Sequence, residues 1–281
     1  MNICHLFGIT RQGYYKQKQM QAERTLEESI ILQLVQAIKH KHRYMGVRKI
    51  YQMIQSDLLE HAIKIGRDGL YNLLWQNGML VRKRRRKTTT TNSNHMNRVY
   101  ENIIQDMQAT APNQIWVSDI TYIPIKNGFV YLCLLTDAYS RKILGYYISK
   151  TLQTSGPAAA LAMAINSLDS SYTLIHHSDR GIQYSSKEYT DLLNEAGIII
   201  SMSRRAEPID NAIAERVNGI IKHEYLKGQV LDSYETAKQA IDRAITLYNS
   251  ERPHLSCGML TPDQAHKGDI MLTNLWKKQR N

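Results

Sequence analysis

The chain has 281 residues, 43% of them hydrophobic, with 36 Lys/Arg against 25 Asp/Glu and a formal net charge of +11 at pH 7. That length holds two modest domains at the usual ~100–200 residues each, with enough apolar content for a buried core. No apolar run reaches the ~18–20 residues of a spanning helix, and the opening MNICHLFGITRQGYYK lacks a signal peptide's apolar stretch and cleavage site. A soluble cytoplasmic protein with no membrane partner is expected. Cys4, Cys133 and Cys257 form no CxxC pair and no short-spaced Cys/His pattern, which argues against a zinc site and for reduced, packed thiols.

The charge is unevenly divided. Residues 1–110 carry 18 Lys/Arg against 8 Asp/Glu, a balance of +10, while residues 111–281 carry 18 against 17, a balance of +1. Positive charge at that density gains affinity for nucleic acid by neutralising phosphates and releasing counterions, although a merely soluble basic surface has the same composition.

Within the basic part, LFGITRQGYYK has a turn at Gly8 and a helix after Thr10, the pattern of the last portion of a helix-turn-helix module over residues 1–25. Leu26, Ile30, Ile31, Leu34, Val35 and Ile38 repeat at three and four, which predicts an amphipathic helix over 26–40. After a break at Tyr44-Met45-Gly46, Val47, Ile50, Tyr51 and Ile54 resume the period, and Leu70, Leu73 and Leu74 predict another helix ending before Gly78. Residues 26–81 thus read as a helical DNA-binding domain of helix-turn-helix or winged-helix type. Arg82, Lys83, Arg84, Arg85, Arg86 and Lys87 then lead into a Thr/Asn/Ser stretch. Residues 82–110 read as a linker whose basic half tracks a DNA backbone or is a solvated hinge.

From Pro112 the period shortens to two. Ile115–Ile123, Phe129–Thr136 and Lys142–Ser149 predict three antiparallel strands. Gly156-Pro157 opens an alanine-rich helix to about Leu168, Leu174-Ile175 is a short strand, and Ser185-Ser186-Lys187-Glu188 caps a helix that stops at Gly197. Ile198-Ile199-Ile200 is the next strand, and a helix capped by Asp210 or Asn211 follows. The order β-β-β-α-β-α-β-α is that of an α/β, RNase H-like core, a mixed sheet flanked by helices, over 111–226, preceded by the all-α region. Residues 227–281 are read as a C-terminal helix, from about Ser233 to Tyr248, and a tail.

Phosphodiester transfer needs an activated oxygen nucleophile and a stabilised leaving oxygen. Two hard divalent ions ~3.5–4 Å apart supply both, and such ions require carboxylate oxygens. Three acids occupy suitable places. Asp119 interrupts an apolar strand, on the face of Ile115, Val117, Thr121 and Ile123, where an unpartnered carboxylate is costly. Asp179 follows a short strand, at the edge where α/β sheets place ligands. Glu215 lies on a helix whose stripe Ile213, Val217, Ile220 and Ile221 must face the sheet, leaving Asn218, Gly219 and Lys222 on the Glu215 side. Taken singly, each acid also fits a plain structural role: a solvent-side strand residue, a turn aspartate before Gly181, a surface glutamate. Asp137 with Ser140 and Arg141 reads as a turn more than a ligand. His176 and His177 either orient Asp179 or DNA, or pack; Arg252-Pro253-His254 either touches DNA or braces the core.

Asp179 and Glu215 are separated by 35 residues. With WVSDITYI, TDAYSRKILGYYIS, HHSDRGIQYSS, SMSRRAEPIDNAIAE and YNSERPHLSCGMLTP in order across residues 112–266, the chain resembles the retroviral integrase-like D,D(35)E transposases. Within them it is similar to the second-frame protein of the IS-three insertion-sequence family. RYMGVRKIYQMIQ resembles that family's helical DNA-binding region, which points to Arg48 and Lys49 as DNA contacts. The resemblance implies that Asp119, Asp179 and Glu215 are the catalytic metal ligands for Mg2+ or Mn2+, two ions per site, and that Lys222 contacts DNA there. It further implies a multimer bridging two double-stranded element ends, target DNA as a second substrate, nucleoid association when bound, and an upstream-frame protein as partner or fusion. Ala206 where the family often has Gly, and Arg216-Val217 where it has aromatic residues, depart from the pattern. The competing readings are a DNA-binding regulator with a decayed core and an RNase H-like structure-selective nuclease.

Overall fold

In a computed structural model the chain divides into two compact units, residues 1–83 and 84–281. The structure describes residue 8 and residues 10–81, 99–105, 107–168, 173–203 and 211–268. Among the described residues no helix is long and apolar enough to cross a membrane.

The first unit is helical: α1 (Arg11–Lys41), α2 (Val47–Met53), α3 (Gln55–Glu60) and α4 (Arg67–Gln76). The turn at Gly8 and the helix after Thr10 are present, with the Thr10 hydroxyl accepting from Gly13 N at 3.0 Å. That helix then runs unbroken through the segment expected to begin at 26. The helicity of residues 11–25 comes from Gln, Lys, Glu and Arg with local pairs such as Gln19–Glu23 (3.0 Å) and Arg24–Glu28 (3.1 Å), not from an apolar stripe. Only Ile31 and Val35 of α1 are buried. They pack with Met45, Ile50, Ile54, Leu58, Ile63, Leu70, Leu73 and Leu74 into an apolar core, and His42 is also buried in this unit.

The second unit is built on a five-stranded sheet of order β3-β2-β1-β4-β5. The strands are β1 (Ile115–Ile125), β2 (Gly128–Asp137), β3 (Ile143–Ser149), β4 (Ile175–Ser178) and β5 (Ile199–Met202). β1, β2 and β3 are antiparallel neighbours, while β4 and β5 run parallel to β1. Helices α5 (Ser155–Ile165), α6 (Lys187–Glu195), α7 (Ala212–Ile220), α8 (Tyr234–Ser250) and α9 (Pro262–His266) complete the unit. The mixed sheet, its order and its flanking helices are those of an RNase H-like core. α5 lies directly on β3 because position 145 is glycine: a Cβ there would run into the Ala160 carbonyl oxygen.

On the opposite face, Ile123, Val130, Leu132, Leu134 and Ile148 share one core with Val217, Ile220 and Ile221 and with Ala237, Ile241, Ala244, Ile245 and Tyr248 of α8. The stripe on α8 recurs at four, three, one and three residues, so it packs along its length. The C-terminal helix expected from about Ser233 to Tyr248 therefore shares one core with the sheet. At the other boundary, Met202 N donates to Glu101 O (3.3 Å) and Ile103 N to Ser201 Oγ (3.2 Å). The last part of the expected linker is thereby laid along β5, with Tyr100 packed on the core.

Candidate active site

Asp119 sits on β1 opposite Leu134 of β2, on the sheet face that α7 and α8 cover. Parallel pairing matches Val117 with His177. Carried two residues further, this register brings Asp119 level with Asp179, which follows directly on β4. Neighbouring strands are ~4.8 Å apart, so the two residues come near each other at one sheet edge, close enough for the Asp179 charge to act on Asp119. β4 is longer than the expected Leu174-Ile175 and includes both histidines, and that extension is what puts Asp179 at the strand's end. Glu215 comes from the first turn of α7, which packs across β1 and β2.

Each carboxylate is held differently. Asp119 Oδ1 accepts from Ile120 N at 2.9 Å and Oδ2 from Asn218 Nδ2 at 2.8 Å. Asp179 Oδ1 accepts from Gly181 N at 2.9 Å in a tight turn. Glu215 is exposed at its helix surface. Burial, then the Asp179 charge and, more weakly, that of Glu215 push the Asp119 carboxyl up to about 7 against the pull of its two hydrogen bonds. Burial and Asp179 also raise Glu215. The three acids thus share one electrostatic field, with Asp179 common to both shifts. Among the described residues no three His, Cys, Asp or Glu side chains converge tightly enough to clasp an ion as they stand.

Asn218 is a site residue whose role the sequence reading missed. It is 4% exposed, its amide nitrogen holds Asp119, and its Oδ1 is buried without a hydrogen-bond partner. The available signal was an amide three residues after Glu215 beside the buried Val217. Asn211 stands at the N-cap of α7, as expected, but its side chain makes no capping bond; its Nδ2 donates instead to Ser118 O at 3.0 Å, tying the helix start to β1 beside Asp119. Asp210, the other expected cap, lies outside the described residues.

Lys222 does not continue a regular helix from Glu215. α7 ends at Ile220 and a wide π-turn spans Ile221–Tyr225, closed by Leu226 N donating five residues back to Ile221 O at 3.1 Å. The cause is visible in the residues: Ile220 and Ile221, and five positions on Tyr225 and Leu226, are all buried in one core. An ordinary turn of ~3.6 residues does not align two such pairs. In this turn Lys222 Nζ reaches back to β1 and donates to Thr121 Oγ1 at 3.1 Å, two residues beyond Asp119 on the same face.

The residues left open by the sequence are buried with partners inside the fold. His176 is fully buried, with Nε2 bonded to Ser118 Oγ (2.8 Å) and Tyr189 OH (2.9 Å), and burial with the adjacent His177 lowers it to about 3, so the ring is neutral. His177 Nδ1 meets Ser201 Oγ at 2.9 Å. Asp137 accepts from Asn113 N (2.8 Å), Ser140 N (2.7 Å) and Ser140 Oγ (2.7 Å), a buried turn and clasp. Arg252 is 1% exposed and forked on Glu224. In the helical unit Arg48 is exposed and Lys49 half-buried at the start of α2. Arg82, Lys83, Arg84, Arg85, Arg86 and Lys87 lie outside the described residues.

Asp119 on β1, Asp179 just after β4 and Glu215 on α7 thus stand near one edge of the mixed sheet. Residues 109–208 and 196–262 match the integrase core domain family. The chain is 33% identical to the insertion element IS600 31 kDa protein of Shigella sonnei, over 92% of this chain and 96% of that one. It is 30% identical to the transposase for insertion sequence element IS904 of Lactococcus lactis, over 88% and 97%. Among solved structures it resembles a chain of the simian T-cell lymphotropic virus intasome, with TM-score 0.50 and 20% identity over 78% and 72% of the two chains, a likeness of fold. This chain belongs to the integrase-core transposases of insertion sequences, DNA-transposing enzymes of the DDE class.

Proposed function

We propose that Asp119, Asp179 and Glu215 are the catalytic carboxylates and the metal ligands of this transposase. The observation that carries the reading is the shared field: Asp119 is driven to about 7 by burial and by the two other acids. The donors fit a hard cation. They are carboxylate oxygens, with the unpaired Oδ1 of Asn218 beside them, and such oxygens suit Mg2+ or Mn2+. Divalent ions, two per site in this reading, supply the charge that makes water or a 3′-hydroxyl nucleophilic and that stabilises the leaving oxygen.

The chain's own contribution is placement. Asn218 holds the Asp119 carboxylate in one orientation, and the Gly181 amide does the same for Asp179. Lys222, released from Thr121, offers a mobile point charge to a phosphate near the scissile bond. The basic residues of 1–110, Arg48, Lys49 and the run from Arg82 to Lys87 among them, supply backbone affinity for duplex DNA. The enzyme works as a multimer bridging two element ends in the cytoplasm at the nucleoid, with an upstream-frame protein as partner or fusion. Water adds to a phosphodiester at an element end as its P–O3′ bond breaks, leaving a 3′-hydroxyl and a 5′-phosphate; the freed 3′-hydroxyl then attacks a second phosphodiester and displaces that strand's 3′-oxygen.

The test is a cleavage and strand-transfer assay on duplexes carrying the ends of the insertion element that encodes the chain, with and without Mg2+. Products that include joined strands support the transposase reading. Cleavage without joining supports a nuclease, and end binding without either supports a regulator.

A further inference from the structure

The π-turn that carries Lys222 is gripped from outside. Arg252, just beyond α8, donates through Nε to Glu224 Oε2 and through Nη2 to Glu224 Oε1, both at 2.8 Å. Its third nitrogen, Nη1, is 2.8 Å from His254 Nε2, and the guanidinium lies 5.8 Å from the centre of the Tyr248 ring. Tyr248 is in turn fixed by its hydroxyl donating to Arg141 O at 2.8 Å. The arginine is 1% exposed and the glutamate side chain 18%. A buried pair of this kind is poor evidence of stabilisation, because the cost of desolvating two charges offsets most of their attraction. What a two-bond fork does supply is a fixed position and angle for the carboxylate it holds.

That position matters because Glu224 lies two residues from Lys222 in a turn with a ready competitor. A regular helix, closing four residues back, is the usual form, and single π-turns persist where something holds them open. The apolar pairs Ile220-Ile221 and Tyr225-Leu226 favour the wide turn from the core side. The Arg252 fork holds it from the polar side.

We propose that Arg252 is a positioning residue for Lys222: through Glu224 it locks the wide turn that directs the lysine to the Asp119 side of the sheet. This rests on the reading of Lys222 as a phosphate contact. Arg252 is too deeply buried to reach DNA itself, so any effect it has on DNA-linked quantities passes through its neighbours.

The experiment uses the full chain with Mg2+ and element-end duplex, measuring cleavage rate and the slope of log Kd against log salt. Wild type is compared with Lys222→Ala, Arg252→Lys and the double variant, with thermal melts to report folding. Losing one phosphate contact flattens the slope by about 0.9. Arg252→Lys, which keeps the charge but not the fork, should flatten it by nearly as much as Lys222→Ala and slow cleavage roughly ten- to hundredfold through misplacement. The double variant should be no worse than Lys222→Ala. A lowered melting point alone does not change a salt slope. If Lys222→Ala flattens the slope and Arg252→Lys does not, or if the two losses add, the positioning role is overturned and the Lys222 reading stands. If Lys222→Ala leaves the slope unchanged, both fall. Should Arg252→Lys not fold, Glu224→Gln weakens the same fork from the other side, with the same outcomes deciding.

Discussion

The helical unit and the mixed-sheet unit treat charge in opposite ways. Residues 1–110 carry the +10, yet the buried residues of the helical unit are apolar apart from His42 among the described residues. Ion pairs described in it, Arg24–Glu28 at 3.1 Å and Arg67–Asp68 at 2.8 Å, stand in solvent, where such pairs are worth little and are screened by salt. Residues 111–281, which form the sheet and its helices, are nearly neutral at +1 and bury Asp137, His176, Arg252 and much of Asp119, each with named partners. Charge in the first unit acts by its sum and is interchangeable. In the second it acts by position, and one atom's displacement is felt.

The comparison breaks most sharply at the three acids. Asp119→Asn, Asp179→Asn and Glu215→Gln should each reduce cleavage and joining to background while leaving binding to element ends largely intact, as read by gel shift beside the strand-transfer assay. Near-normal turnover in any one removes that residue from the site. The basic run should behave in the opposite manner. Replacing Arg84, Arg85 and Arg86 with Ala should weaken binding about tenfold or more at moderate salt and flatten the salt slope by up to about 2.7, with the chemistry of bound complexes unchanged. An unaltered slope would make that run a solvated linker.

How much the sequence disclosed differs between the units for the same reason. Periodicity reports packing, so it located Ile31 and Val35 but not residues 11–25 of α1, which are helical without burying anything. In the sheet unit, alternation and turn residues revealed the succession of strands and helices along the chain, because nearly every strand is covered. Asp119, Asp179 and Glu215 were legible as acids in places where acids need a reason. The restraints on them were not: Asn218, 99 positions from Asp119, and Arg252, 28 from Glu224, meet their partners only once the chain is folded. The π-turn had a visible cause in the five-residue spacing of two apolar pairs, a period that helix and strand templates both pass over.

Gly181 sharpens the positional side of the comparison. A Cβ there would come within 2.9 Å of Asp179 Oδ1. The carboxylate can rotate away, so Gly181→Ala should fold with an almost unchanged melting temperature. The displaced oxygen should still slow cleavage, by roughly tenfold, since sub-ångström to ångström misplacement is costly in a reacting site. Equal rates with equal melting would mean that the Asp179 orientation in this turn is not the working one.

The smallest effect, and the one that tests the shared field most directly, is on stability without metal. Asp119 is raised from 3.8 unfolded to about 7 folded. A folded carboxyl with a raised pKa binds its proton more tightly than the unfolded chain does, so stability is fully present below about pH 4 and is lost as pH rises through about 7. The full shift corresponds to about 4 kcal/mol at ~1.4 kcal/mol per unit, an upper bound that solvent reaching a half-buried group reduces to about 1–3 kcal/mol. The amide introduced by Asp119→Asn has no proton to lose in this range, and its oxygen can still accept from Asn218. In EDTA the variant should match wild type near pH 4 and exceed it by that amount at pH 8, by urea unfolding. Adding Mg2+ at pH 8 should raise wild type more than the variant, because the cation relieves the same repulsion that the substitution removes. Parallel curves from pH 4 to 8 would mean that Asp119 titrates as an ordinary carboxylate and that the acids do not crowd one another.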